Sequence, residues 1–183
     1  AALEQGAEVV LVSGPTALEA PSGVKRISVR TAQEMFDAVK NSIDGADIFI
    51  SVAAVADYRV ANASAQKIKK GARKGMTLEL TENPDILAYV AGMKKPPFCV
   101  GFAAESEKLA EHATQKRRSK RVPLLAANLA QETLGADDNA LTLFDEAGEH
   151  KLGRGPKLDQ ARKLVAHISA MLGNKRKAGR AQA

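Results

Sequence analysis

Short apolar runs alternate with helix-period segments along most of this chain. Residues 8–13, Glu-Val-Val-Leu-Val-Ser, form an apolar run that stops at Gly14-Pro15, and such a run closed by a turn signal predicts a buried strand. Residues 1–5 read as the end of a helix stopped by Gly6. A second strand is predicted over 25–29, then Thr31 as an N-cap with Ala32, Met35, Phe36, Val39 and Ile43 at helical spacing behind it. Residues 47–55 are almost continuously apolar, the pattern of a strand covered on both faces. Asn83-Pro84-Asp85 opens a helix carrying Ile86, Leu87, Val90 and Met93, with Asn83 at the N-cap and Pro84 at the first helical position. Residues 98–103 follow as a strand, Ser106 caps a helix over 107–120, and 124–127 is the next strand. Residues 139–144 alternate apolar with polar ahead of a turn at 146–149. The last helix runs over about 157–172 and places Leu158, Ala161, Leu164, Val165, Ile168 and Leu172 on one face.

This βαβα order predicts a doubly wound α/β fold, a mostly parallel Rossmann-like sheet with helices on both faces. No internal repeat or second domain emerges, so residues 1–173 form one domain. The tail 174–183 mixes Lys, Arg, Gly, Ala and Gln without an apolar period, and is expected to be a basic disordered segment. With 45% apolar residues among 183, the chain can build a sizeable core. No apolar run reaches the ~18 residues of a membrane span, and the first residues lack a basic-then-apolar targeting pattern. A cytoplasmic protein without membrane contact is therefore expected.

In such sheets ligands bind beyond the carboxyl ends of the strands, which directs attention to the loops at 53–70, 82–85 and 101–106. Small residues continue off the third strand through Ala53, Ala54 and Ala56 to Asp57. Small side chains let a ligand approach the backbone, though close strand packing uses them equally well. Asp57 suits either a turn cap or a hard-cation ligand such as magnesium held against phosphates. Residues 66–75 gather four lysines and an arginine with two glycines, which fits a clamp on phosphates or a solvated surface. Lys116 and Lys120 lie four apart on one helix, with Arg117 and Arg121 in the neighbouring stripe.

The net charge of +6 asks for an anion without naming it. Walker, dinucleotide-fingerprint and nucleophile-elbow motifs are all missing. His112, His150 and His167 show no metal-ligand spacing, and Cys99 within Phe98-Cys99-Val100 reads as a small core residue.

Together, Ala53-Ala54-Val55-Ala56-Asp57-Tyr58, Lys67-Ile68-Lys69-Lys70, Asn83-Pro84-Asp85-Ile86, Gly101-Phe102-Ala103-Ala104-Glu105 and Gln115-Lys116-Arg117 closely resemble the bacterial phosphopantothenate-cysteine ligase family in order and spacing. The resemblance covers nearly the whole chain apart from the basic tail. It implies a coenzyme A biosynthetic ligase that condenses 4'-phosphopantothenate with cysteine through a CTP-derived acyl-cytidylate. In bacteria such a ligase is usually the C-terminal half of a bifunctional protein whose first half is a flavin-dependent decarboxylase. Carried over by motif, Asp57, Lys67, Asn83, Pro84, Asp85, Ile86, Phe102, Lys116 and Lys120 would contact the nucleotide. Lys67 would be the catalytic cation, and Ala53 and Ala54 would offer backbone contacts to substrate. A homodimer sharing its site across protomers, CTP as co-substrate and Mg2+ beside Asp57 are also implied, with no nucleic-acid or membrane partner.

Two departures stand against the family pattern. Its opening strand, substrate-binding Asn and phosphate loop have no counterpart ahead of Ala1, and Leu129 stands where many relatives carry Asp. The alternatives are a basic nucleic-acid-binding domain, which would use the same lysines without an aromatic platform, and a dinucleotide-dependent reductase lacking its glycine fingerprint.

Overall fold

The computed structural model describes residues 1–69, 75–129, 131 and 137–181, with 175–181 described as backbone. A 3-10 turn at Leu3–Gln5 is closed by Gly6 at φ 78°, a left-handed conformation that glycine adopts without a Cβ clash. Strands β1 (Val10–Ser13) and β2 (Lys25–Ser28) pair in parallel. Helix α1 (Ala32–Ser42) starts at Thr31, whose hydroxyl accepts the Glu34 N–H at 3.1 Å. The Glu34 carboxylate in turn accepts the Arg30 N–H at 2.8 Å, so two donors of the helix start are satisfied from its own sequence.

The central sheet has the order β3-β6-β7-β8-β9. Its strands are β3 (Ile48–Ser51), β6 (Phe98–Glu105), β7 (Leu124–Leu129), β8 (Asp138–Phe144) and β9 (Glu149–Pro156). The first three are mutually parallel, and β8 and β9 continue the sheet in antiparallel sense. A separate antiparallel arm pairs β4 (Tyr58–Val60) with β5 (Leu80–Glu82). Helices α2 (Ile86–Ala91), α3 (Leu109–Ser119) and α4 (Lys157–Ala181) complete the described elements. The β1–β2 ribbon does not hydrogen-bond to the central sheet, yet Val12 packs into the same apolar cluster as Phe49.

Alternation along the buried strands divides the core into two layers, as pleating requires. Cys99, Ala103, Leu125 and Ala127 face one cluster with Val39 of α1, Leu87 and Val90 of α2, and Ala113 of α3. Phe98, Val100, Leu124 and Ala126 face the other, with Leu164 and Ile168 of α4. Helices thus cover both faces, as the sequence pattern predicts. Gly101 marks the tightest approach: a Cβ there would lie 2.7 Å from a Leu125 methyl and 2.9 Å from a Leu87 methyl. Where the β8–β9 register shifts between Ala140 and Thr142, the Leu141 N–H donates instead to Oε1 of buried Gln160 at 3.4 Å.

Three local expectations change. Helix α2 is capped by Asp85, whose carboxylate accepts the Ala88 N–H at 2.9 Å, because Asn83 is drawn into tertiary bonds described below. Helix α3 begins at Leu109 rather than 107, behind Lys108 at φ 47° and without a side-chain cap, because β6 runs on to Glu105 and consumes the turn around Ser106. The backbone of α4 continues helical to Ala181, past the expected end at 172. The tail sequence offers alanine, lysine and arginine, which are good helix formers, against weak positions at Gly173, Asn174 and Gly179. The strands of the β4–β5 arm and β9 were not predicted as strands, since none shows a clean apolar alternation.

Candidate functional site

Beyond the carboxyl end of β3 the chain turns through Ala53, whose carbonyl accepts the Val55 N–H at 3.0 Å, and enters the arm at Tyr58. Ala53, Ala54 and Asp57 are all exposed, so backbone and carboxylate are open to a ligand. Asn83 holds this loop in place from two sides. Its backbone N–H donates to the Asp57 carbonyl at 2.8 Å, and its side-chain amide donates to the Ala56 carbonyl at 2.8 Å. Arg59 closes the clamp by donating to Oδ1 of Asn83 at 3.2 Å and to the Glu82 carbonyl. Pro84 follows with no N–H to satisfy, and Asp85 starts α2 one residue later.

Asp85 is where the elements converge. One carboxylate oxygen caps α2, while the other is ion-paired with the Lys120 ammonium arriving from the end of α3. Burial pushes the Asp85 carboxyl up, but the Lys120 pair, the Ala88 N–H and the nearby Lys116 charge together hold it below the ordinary carboxylate value. Lys116 and Lys120 therefore stand beside the Asn83–Asp85 turn although they lie more than thirty residues further along the chain. A single carboxylate faces two ammonium groups, which leaves net positive charge for an anion at this turn. Ile86, the first residue of α2, is buried in the core beneath and offers only its backbone.

Other expected residues stand apart from this cluster. Phe102 pairs with Ala126 and packs with the α4-side cluster, whereas Asp85 and the α3 lysines gather on the opposite side of the sheet. Lys67 is exposed in the segment between β4 and β5; among the described residues no hydrogen bond or ion pair joins it to the Asp85 cluster. Residues 70–74 of the same basic segment lie outside the described residues. Asp57 is a lone exposed carboxylate: among the described residues, the only group of three metal-ligating side chains is Asp145, His150 and His167. One carboxylate suits Mg2+ held chiefly by phosphates, which commonly takes one or two from the protein.

Sequence reasoning missed Arg59 as a clamp and the contact between Glu105 and His112, 3.3 Å from carboxylate to Nδ1. Only tertiary pairing reveals either. Cys99 is buried, and burial pushes its thiol up to about 11, so it is an unreactive core group as expected. A cleft of about 650 Å³ lies at the start of β6, between Pro97, Arg117, Arg121 and Leu172. No helix of the described residues is long and apolar enough to cross a membrane.

Comparison with known proteins gives the chain its family. A family model described as the DNA/pantothenate metabolism flavoprotein C-terminal domain matches residues 1–172. The chain is 42% identical over 179 residues to the coenzyme A biosynthesis bifunctional protein CoaBC of Vibrio vulnificus, covering 95% of this chain and 45% of that protein. Against the CoaBC protein of Escherichia coli it is 48% identical over 158 residues, covering 83% and 39% respectively. The chain thus spans less than half the length of these curated relatives. The crystal structure of the C-terminal domain of a CoaBC protein matches with a TM-score of 0.79 at 34% identity, over 94% of this chain and 79% of that one. The chain belongs to the family of DNA/pantothenate metabolism flavoprotein C-terminal domains.

Proposed function

We propose that this chain is the phosphopantothenate-cysteine ligase unit of a coenzyme A biosynthetic protein, acting in the cytoplasm with CTP as co-substrate. The observation that carries this reading is the meeting of Lys116, Lys120 and Asp85 beside the Asn83 clamp at the end of β3. A carboxylate is a poor electrophile. Attack of the phosphopantothenate carboxylate on the α-phosphorus of CTP releases pyrophosphate and leaves an acyl-cytidylate. The cysteine amine then attacks the acyl carbon and CMP departs with the bonding electrons. Cations near the triphosphate stabilise the charge that builds on the departing oxygens.

In this reading Lys116 and Lys120 hold the nucleotide and the turn Asn83-Pro84-Asp85-Ile86 meets its base or ribose, while Phe102, packed on the α4 side of the sheet, would have to reach the nucleotide from the opposite face. Ala53 and Ala54 present backbone to the reacting groups, and Lys67 is the catalytic cation delivered by the basic segment. Asp57 would hold Mg2+, which would supply positive charge to the phosphates.

The same reading includes a homodimer. Tyr58, Val60 and Leu80 on the arm, with Ile68, Met76 and Leu78 from the segment it carries, are exposed large apolar residues, and a solvent-facing group of that size is characteristic of an interface. A second copy seated there would bring the basic segment of one protomer to the site of the other. A flavin-dependent decarboxylase unit is the partner expected within a longer chain.

Pyrophosphate release tests the assignment. Release dependent on CTP, Mg2+ and 4'-phosphopantothenate is expected, with a fall of at least about a hundredfold in Lys67→Ala, as for removal of one charge-stabilising donor. Release that persists unchanged in that variant would refute the catalytic role of Lys67.

A further inference from the structure

Apart from the Asp85 cluster, three side chains that the proposed ligase does not use meet at one point. Phe144, the last residue of β8, pairs with Leu125 near the start of β7, so the residue after it lies level with Leu124, the first residue of β7. That residue is Asp145, and its side chain is 6% exposed. His150 comes from the beginning of β9 and His167 from the middle of α4. The two Nε2 atoms lie 3.0 and 2.9 Å from the two oxygens of the Asp145 carboxylate, and the imidazole rings are 4.8 Å apart. All three candidate ligand atoms lie within 4.8 Å of one another.

The carboxylate is also held by its own turn, independently of either histidine. The Asp145 N–H donates to the Gly148 carbonyl at 3.1 Å, and Oδ1 accepts the N–H groups of Ala147 and Gly148 at 2.8 and 3.1 Å. Gly148 sits at φ 126°, which a side chain would disfavour. A rigid turn therefore presents one oxygen towards each of two imidazoles. A divalent ion in place of the Nε2 protons would satisfy both lone pairs and the anion together. Two imidazole nitrogens and one carboxylate oxygen are the ligand chemistry of Zn2+ and its neighbours rather than of Mg2+. The solvent-facing side, where the His150 side chain is 37% exposed, leaves room for water to complete the shell.

We infer that Asp145, His150 and His167 form a binding site for Zn2+ or a similar divalent transition ion, which clips the β8–β9 hairpin to α4. His112, the remaining histidine, pairs with Glu105 elsewhere and serves as an internal control. The test is Zn2+ titration of the untagged, chelator-treated chain in competition with a chromophoric chelator. One ion per chain is expected, bound at least tenfold more weakly in His150→Ala and in His167→Ala and equally well in His112→Ala. The ion should also raise the thermal midpoint of the parent protein, since binding to the native state alone stabilises it, and should not raise that of the double histidine variant. No saturable binding by the parent, or equal binding by the double variant, overturns the site. Should either variant fold poorly, X-ray absorption of the Zn2+-loaded parent decides: two imidazole nitrogens at about 2.0–2.1 Å support the site, and their absence overturns it.

Discussion

Asp85 carries two tasks with its two oxygens, capping α2 and neutralising Lys120. Its carboxyl is held below the ordinary value, so the native state binds this proton less readily than the unfolded chain. The associated stability is present above an unfolded pKa of about 3.9 and disappears as pH falls through the lower folded value. Asp85→Asn keeps an oxygen for the Ala88 N–H and removes the charge. Urea unfolding of both proteins at neutral and at strongly acidic pH is expected to show a modest parent advantage at neutral pH, since the pair is partly exposed. That advantage should vanish in acid; a pH-independent difference would show that Lys120 contributes nothing through this carboxylate. The turn Asn83-Pro84-Asp85 was legible as a helix start because Asn, Pro and Asp all favour that position. Which residue caps was not, because Asn83 is claimed by the Ala56 carbonyl, twenty-seven positions away. The three-group meeting of Asp145, His150 and His167 was equally hidden, since separations of five and twenty-two residues acquire meaning only after β9 folds back and α4 packs.

At the scale of elements, the two-layer core explains why the long apolar runs announced themselves and the short strands did not. Residues 98–101, 103 and 124–127 are buried and Phe102 is partly so, so burial on both faces wrote an unbroken apolar signal. The arm strands are three residues long and mostly exposed, and their partners lie across the basic segment, so no local period marks them. Gly101 tests the close packing of β6 between α2 and β7. Gly101→Ala places a methyl against Leu87 and Leu125 side chains that are themselves enclosed in the core. Overpacking of this kind costs about 1–3 kcal/mol. A lower urea midpoint with an unchanged denaturant slope is the expected result; an unchanged midpoint would mean the two leucines repack freely.

For the whole molecule, the sheet separates two regions of different chemistry: basic groups on the α2–α3 side near the end of β3, and the Asp145 cluster level with the start of β7. The exposed apolar arm projects from the first region. If that arm is the interface, Leu80→Asp should convert a dimer into a monomer in sedimentation velocity, leaving the secondary structure intact by circular dichroism. A monomeric parent would remove the shared-site part of the proposal. The family pattern was legible because motif order survives even where single motifs are ambiguous, whereas the convergence of Asp85 with Lys116 and Lys120 depends on how α3 packs beside α2.

In the proposed function, lysines from a distant helix join the Asn83–Asp85 turn in holding one cytidine nucleotide. Calorimetric titration of CTP with Mg2+ into the parent chain and into Lys116→Ala/Lys120→Ala examines it most directly. Saturable binding by the parent, weakened at least tenfold in the variant, corresponding to about 1.4 kcal/mol, is the predicted result. CTP affinity identical in the two proteins would contradict it.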